Sequence, residues 1–90
     1  MKKNDYLICY DISDMKRLRK IARFLEQRCI RIQFSIFFAQ NFSKEDIYNI
    51  ADNLIEMMDP KEDDIRIYKI KNYGISLGKA YDLSKIFLIH

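Results

Sequence analysis

The apolar residues of this chain change their spacing from one segment to the next, and that alternation restricts the fold more than any other feature. From Tyr6 to Tyr10 they run without a break; from Leu18 to Cys29 they recur at i, i+3, i+4 and i+7; from Ile30 to Phe38 they alternate. Helical spacing returns between Ile47 and Met58, and alternation between Ile65 and Ile70. A period of two lines one face of a strand, whereas 3.6 lines one face of a helix. The predicted order is therefore strand, helix, strand, helix, strand, with "KIFLI" as a late strand near the C-terminus.

Local signals sharpen these elements. Residues 5–12 lack Gly and Pro and are apolar at both alternation sets, as in a central strand covered on both faces. Ser13 or Asp14 is placed to cap the helix that follows, whose stripe is Leu18, Ile21, Ala22, Leu25 and Cys29. In the next run Ile30, Ile32, Phe34, Ile36 and Phe38 share one face, and Arg31, Gln33, Ser35 and Phe37 the other. Its length fits one strand or two short ones, and periodicity does not choose between them. Ser43 and Asp46 form a capping-box pattern before the stripe Ile47, Ile50, Ala51, Leu54, Ile55 and Met58, which Asp59-Pro60 ends.

Ninety residues make one domain. With the middle run split, the order is that of an α+β, ferredoxin-like βαββαβ fold: an antiparallel sheet with two helices on one face, plus an extra C-terminal strand. Neither face of the first strand is polar, so the helix-free side needs a partner. A homodimer packed sheet to sheet is expected, with segment 72–90 contacting the second copy.

Cys9 and Cys29 lie in apolar segments with no CxxC spacing, which predicts two reduced thiols in a cytoplasmic protein. The first apolar run is too short for a signal peptide, and no segment is long enough to span a membrane. Net charge is only +3, but its distribution is uneven. Lys16, Arg17, Arg19, Lys20, Arg23, Arg28 and Arg31 cluster against Asp14 and Glu26, whereas residues 43–64 are predominantly acidic. The surface is polarised.

Chemistry-bearing residues are few. His90 is the sole histidine and the last residue, and neither the zinc nor the phosphate-loop spacings occur. What remains is Asp11, where the first strand stops, and the basic helix after it. Asp11 reads in two ways: as an acid flanking a helix N-terminus, or as a ligand for Mg²⁺ or Mn²⁺, hard ions that take carboxylate oxygens. One carboxylate per chain is a poor metal site; two copies across a two-fold axis make a better one. Arg17, Arg19 and Arg23 lie near the helix end that follows Asp11, and such a patch suits phosphate contacts as well as plain solvation. Core packing is the expected role of Phe34 and Phe38, while the face of Arg31, Gln33, Ser35 and Phe37 is aimed toward a partner or a nucleic-acid backbone.

"YLICYDISD", the basic helix, "RIQFSIFFAQ" and a helix ending in "MMDPKEDDIRIYKI" together resemble the CRISPR-associated protein 2 family over residues 5–71. The resemblance implies a ferredoxin-like homodimer acting in spacer acquisition. It implies a metal-dependent endonuclease on RNA or duplex DNA, with paired Asp11 residues holding Mg²⁺ or Mn²⁺. Alternatively, the protein is a non-catalytic adaptor that holds a CRISPR integrase subunit on DNA. Arg17, Arg19, Arg23 and Arg31 then contact nucleic acid, and Ser13, Ser35 and Phe37 support the site. Two departures stand out: "EQRCIRIQ" lacks the glycine many members carry before the second strand, and the match fades after Lys71. A third reading, a small-molecule regulatory domain, finds no glycine-rich ligand loop in its favour.

Overall fold

A computed structural model describes residues 2–71. Its elements are β1 (Lys3–Asp11), α1 (Met15–Glu26), β2 (Ile30–Gln33), β3 (Ile36–Ser43), α2 (Lys44–Met57) and β4 (Asp64–Ile70). They form an antiparallel four-stranded sheet in the order β2-β3-β1-β4, the ferredoxin-like βαββαβ arrangement. The middle run is two strands, broken at Phe34 and Ser35 without a glycine or proline. The predicted C-terminal strand and its contact with a partner lie outside the described residues.

The side-chain parity of β1 divides the sheet. Tyr6, Ile8 and Tyr10 face the helices, together with Phe37 and Ala39 of β3 and Ile65 and Ile67 of β4. Ile21 and Leu25 of α1 and Ile47, Ile50 and Leu54 of α2 close this core. Complete burial of Ile8, Ile21, Leu25 and Phe37 contributes about 1.5–3 kcal/mol for each side chain removed from water. On the helix-free face, Ile30, Phe38, Leu7 and Tyr68 form one row across all four strands.

Three packing expectations are corrected. Phe34 is 74% exposed, because the hairpin turn lifts it off the sheet. Ile55 is exposed at the margin of the α2 stripe. Phe37 keeps the face of Arg31, its cross-strand partner, but its ring enters the core, stacked on Tyr10 at 6.1 Å between ring centroids. The strand alternation is real, but the face of Arg31 and Phe37, expected to meet a partner or a nucleic-acid backbone, is on the helix side of the sheet, opposite the face expected to pack in a homodimer.

Caps agree with the sequence. Asp14 is the α1 N-cap, accepting from the Arg17 N–H at 2.9 Å. Ser43 and Asp46 make the reciprocal capping box of α2. After α1, Gln27 keeps right-handed helical angles, and the N–H groups of Arg28 and Cys29 close on the Leu25 carbonyl. No left-handed residue is needed there, so the absent glycine costs nothing. The left-handed conformation falls instead on Asn41 (φ 60°), a residue type that tolerates it, whose N–H donates to Asp5 at 2.7 Å.

Candidate functional site

Asp11 is the last residue of β1 and is exposed. It shares parity with Leu7 and Cys9, so it lies on the helix-free face of the sheet. Antiparallel pairing sets Asp64, the first residue of β4, directly opposite it. Like charges opposite one another destabilise a ladder. Arg66 offsets this by donating from Nε to Asp64 at 2.9 Å. The arrangement leaves Asp11 with an acidic neighbour and without an ion pair among the described residues.

The backbone just after Asp11 is held by a buried carboxylate. Asp63 accepts from the Ser13 N–H at 3.0 Å, the Ser13 hydroxyl at 3.3 Å and the Asp59 N–H at 2.8 Å. It also takes a two-pronged ion pair from Arg17, with Nε at 2.8 Å and Nη2 at 3.2 Å. Its side chain has no exposed surface, and a planar guanidinium meets a carboxylate well in this geometry. The Arg17 hydrogen bonds hold the Asp63 carboxyl well below the usual carboxylate range, and the same contact pushes the Arg17 guanidinium up. Glu62 adds a more exposed contact to Arg17 at 3.2 Å. The loop between α2 and β4 thereby fastens the loop between β1 and α1, beside Asp11.

The predicted basic residues separate into two groups. Arg17 is engaged with Asp63 and Glu62, and Arg31 lies over the rings of Phe34 (5.6 Å) and Phe37 (5.3 Å). Arg31 also donates to the Phe34 carbonyl at 2.9 Å and sits 3.7 Å from Glu26. Both arginines, expected to face nucleic acid, are occupied by the chain's own groups. Arg19 and Arg23 are exposed and, with Lys16 and Lys20, line a groove, to which Arg17 also contributes, between α1 and the end of α2 at Glu56 and Met57. None of Lys16, Arg19, Lys20 and Arg23 is ion-paired among the described residues.

Ser13 is a member of the Asp63 network rather than the helix cap. The Ser35 carbonyl accepts from the Tyr10 N–H at 3.1 Å, laying the β2–β3 turn against the end of β1. Phe37 braces Tyr10 from within the core. Ser13 thus holds the backbone just after Asp11, and Ser35 and Phe37 contact Tyr10, the residue just before it. The sequence reading missed Asp63, Asp64 and Arg66, which it counted only as part of an acidic run and a strand. The discoverable signal was that a strand starting at Asp64 and antiparallel to one ending at Asp11 must set the two acids side by side.

Among the described residues, no group of three or more His, Cys, Asp or Glu side chains is gathered as a metal cage. Asp11 and Asp64 do fit the narrower needs of a Mg²⁺-like ion, which is held by one or two carboxylates and keeps several waters. Also among these residues, no helix is long and apolar enough to cross a membrane.

The family model described as CRISPR associated protein Cas2 matches residues 4–76. This chain belongs to the Cas2 family. It is similar to CRISPR-associated endoribonuclease Cas2 1 of Nitrosomonas europaea, with 33% identity over 80% of this chain and 68% of that protein. Similarity to CRISPR-associated endoribonuclease Cas2 2 of a Synechocystis species reaches 36% identity over 84% and 82% of the two chains. In three dimensions it resembles the crystal structure of Streptococcus pyogenes Cas2 at pH 6.5. The TM-score is 0.72 at 28% identity, covering 82% of this chain and 99% of the other. In this Cas2-family chain the Asp11 end is thus built from the ends of β1 and β4, the Asp63 network and the β2–β3 turn.

Proposed function

We propose that this Cas2-family chain works in CRISPR adaptation as a homodimeric, divalent-metal-dependent endonuclease that hydrolyses phosphodiesters of RNA or duplex DNA. The observation that carries the reading is the position of Asp11. It sits on the helix-free face, about 13 Å along β1 from the apolar row through Leu7. Two sheets packed on that row around a two-fold axis duplicate every residue near it, and two copies of Asp11 brought together there make a concentrated anionic spot. Asp11 from each chain, with Asp64 beside it, would hold Mg²⁺ or Mn²⁺. Such an ion, when bound, lowers the pKa of a coordinated water and neutralises charge developing on a phosphodiester. Asp63 and Arg17 keep the backbone after Asp11 in place, and Arg66 restrains Asp64. The relatives bearing the endoribonuclease name support the activity class.

A second reading rests on a different observation, the exposed groove of Lys16, Arg19, Lys20 and Arg23. Four cations along one helix, with no ion pair among the described residues, suit phosphate contacts that are indifferent to sequence, as an adaptor between an integrase subunit and DNA requires. The two readings are compatible and separate on one substitution. Asp11→Ala should abolish Mg²⁺-dependent cleavage of RNA and duplex DNA while leaving the dimer, measured by light scattering, and nucleic-acid affinity in place. Cleavage that survives in that variant rules out the Asp11 mechanism. Lost cleavage with unimpaired spacer integration assigns the integration role to the basic groove.

A further inference from the structure

At the opposite end of the sheet from Asp11 lies a cleft of about 520 Å³ whose residues the proposed nuclease and adaptor roles do not use. Its origin is topological. The cleft opens where α2 passes beside the start of β1 and the end of β4, the strand at the sheet's edge in the order β2-β3-β1-β4. Along α2, Lys44, Ile47, Tyr48 and Ala51 follow the i, i+3, i+4, i+7 spacing and line one wall. The sheet supplies Tyr6 and Lys69, which are cross-strand partners, and Ile67. Asn4 also lines it, about 23 Å along β1 from Asp11, with Lys2 just before the strand.

The lining chemistry is one-sided. Among the described residues every charged side chain that lines the cleft is a lysine, and none of the three is ion-paired. Three lysines lining one cleft, with no carboxylate beside them among the described residues, favour a multiply charged anion. Beside them are Ile47, Ala51 and Ile67 and the rings of Tyr6 and Tyr48, and Tyr48 keeps 58% of its surface exposed. Inorganic phosphate would satisfy the lysines and leave this apolar surface wet. A neutral aromatic would cover the apolar surface and leave the lysines unpaired. The volume lies inside the range of about 300–1,000 Å³ usual for small-molecule sites.

The geometry points to a binding site for a 5′-phosphorylated nucleotide, its base against Tyr6 and Tyr48 and its phosphate on Lys2, Lys44 and Lys69. A free mononucleotide and the terminal nucleotide of a short strand carry the same chemistry. Amide NMR titration of the full chain distinguishes them, using AMP, a 5′-phosphorylated trinucleotide and inorganic phosphate as separate probes. Saturable shifts are expected around Lys44, Tyr48 and Lys69 and not along the basic face of α1. Base–aromatic stacking predicts that Tyr48→Ala weakens AMP binding about ten-fold, and Lys44→Gln with Lys69→Gln should weaken it at least as much. Both sets of positions are exposed, so the fold persists in the variants. Saturation by the trinucleotide but not by AMP assigns the cleft to strand ends. The proposal is overturned if inorganic phosphate binds as tightly as AMP, if shifts map to α1, or if the variants bind as the wild type does.

Discussion

Replacing Arg19, Lys20 and Arg23 together by Gln tests whether the α1 groove meets phosphates or only water. These residues are exposed, line one groove and pair with no acid among the described residues. Gln is nearly as good a helix former as Arg and Lys, so α1 should persist. Each phosphate neutralised on a duplex contributes about 0.9 to the slope of log affinity against log salt. Three contacts amount to a slope of about 2.7, and raising salt four-fold, from about 50 to about 200 mM, then costs roughly 40-fold in affinity. Fluorescence anisotropy with a labelled duplex across that range should show the triple variant losing that much less than the wild type. Arg17→Gln should behave differently. It removes the partner of buried Asp63, so the melting temperature should fall while the salt slope changes little. A triple variant with the wild-type slope, or an Arg17→Gln variant that carries the slope change, refutes the division of the basic residues drawn above.

Two further outcomes follow from the core and from the Asp63 network. The native carboxyl of Asp63 is depressed, so its stabilisation is complete above the unfolded value near 4 and disappears as pH falls through the lower folded value. Circular-dichroism melts from pH 7 to pH 2 should show Asp63→Asn destabilised at neutral pH and flatter than wild type in the acid limb; parallel curves contradict the linkage. Phe38→Ala should cost about 3–5 kcal/mol by urea denaturation, because the ring is fully buried, whereas Phe34→Ala, 74% exposed, should cost little. Equal losses at the two positions would mean that the hairpin turn is misplaced.

Element types were legible because each is written in a local pattern: alternation in β3 and β4, helical stripes in α1 and α2, and a capping box at Ser43 and Asp46. Asp11 was legible as a strand-end acid because an apolar run stops there. The pairing of Asp11 with Asp64, the capture of Arg17 by Asp63 and the inward turn of Phe37 were not. Alternation set Phe34 with the apolar face and Phe37 with the polar one; the two-residue turn exposes Phe34, and the helices cover Phe37.

By itself, then, the chain's order of residues determined the succession of strands and helices, their caps, the basic character of α1 and the family, since these depend on neighbours within a few positions. Tertiary structure alone decided which charges are free and which are spent on one another. A guanidinium or carboxylate finds its partner through strand register and loop approach, and Ser13 and Asp63 meet across half the chain only once the sheet has formed. The same closure of β1 against β4 places two acids side by side at one end and gathers lysines and tyrosines in a cleft at the other.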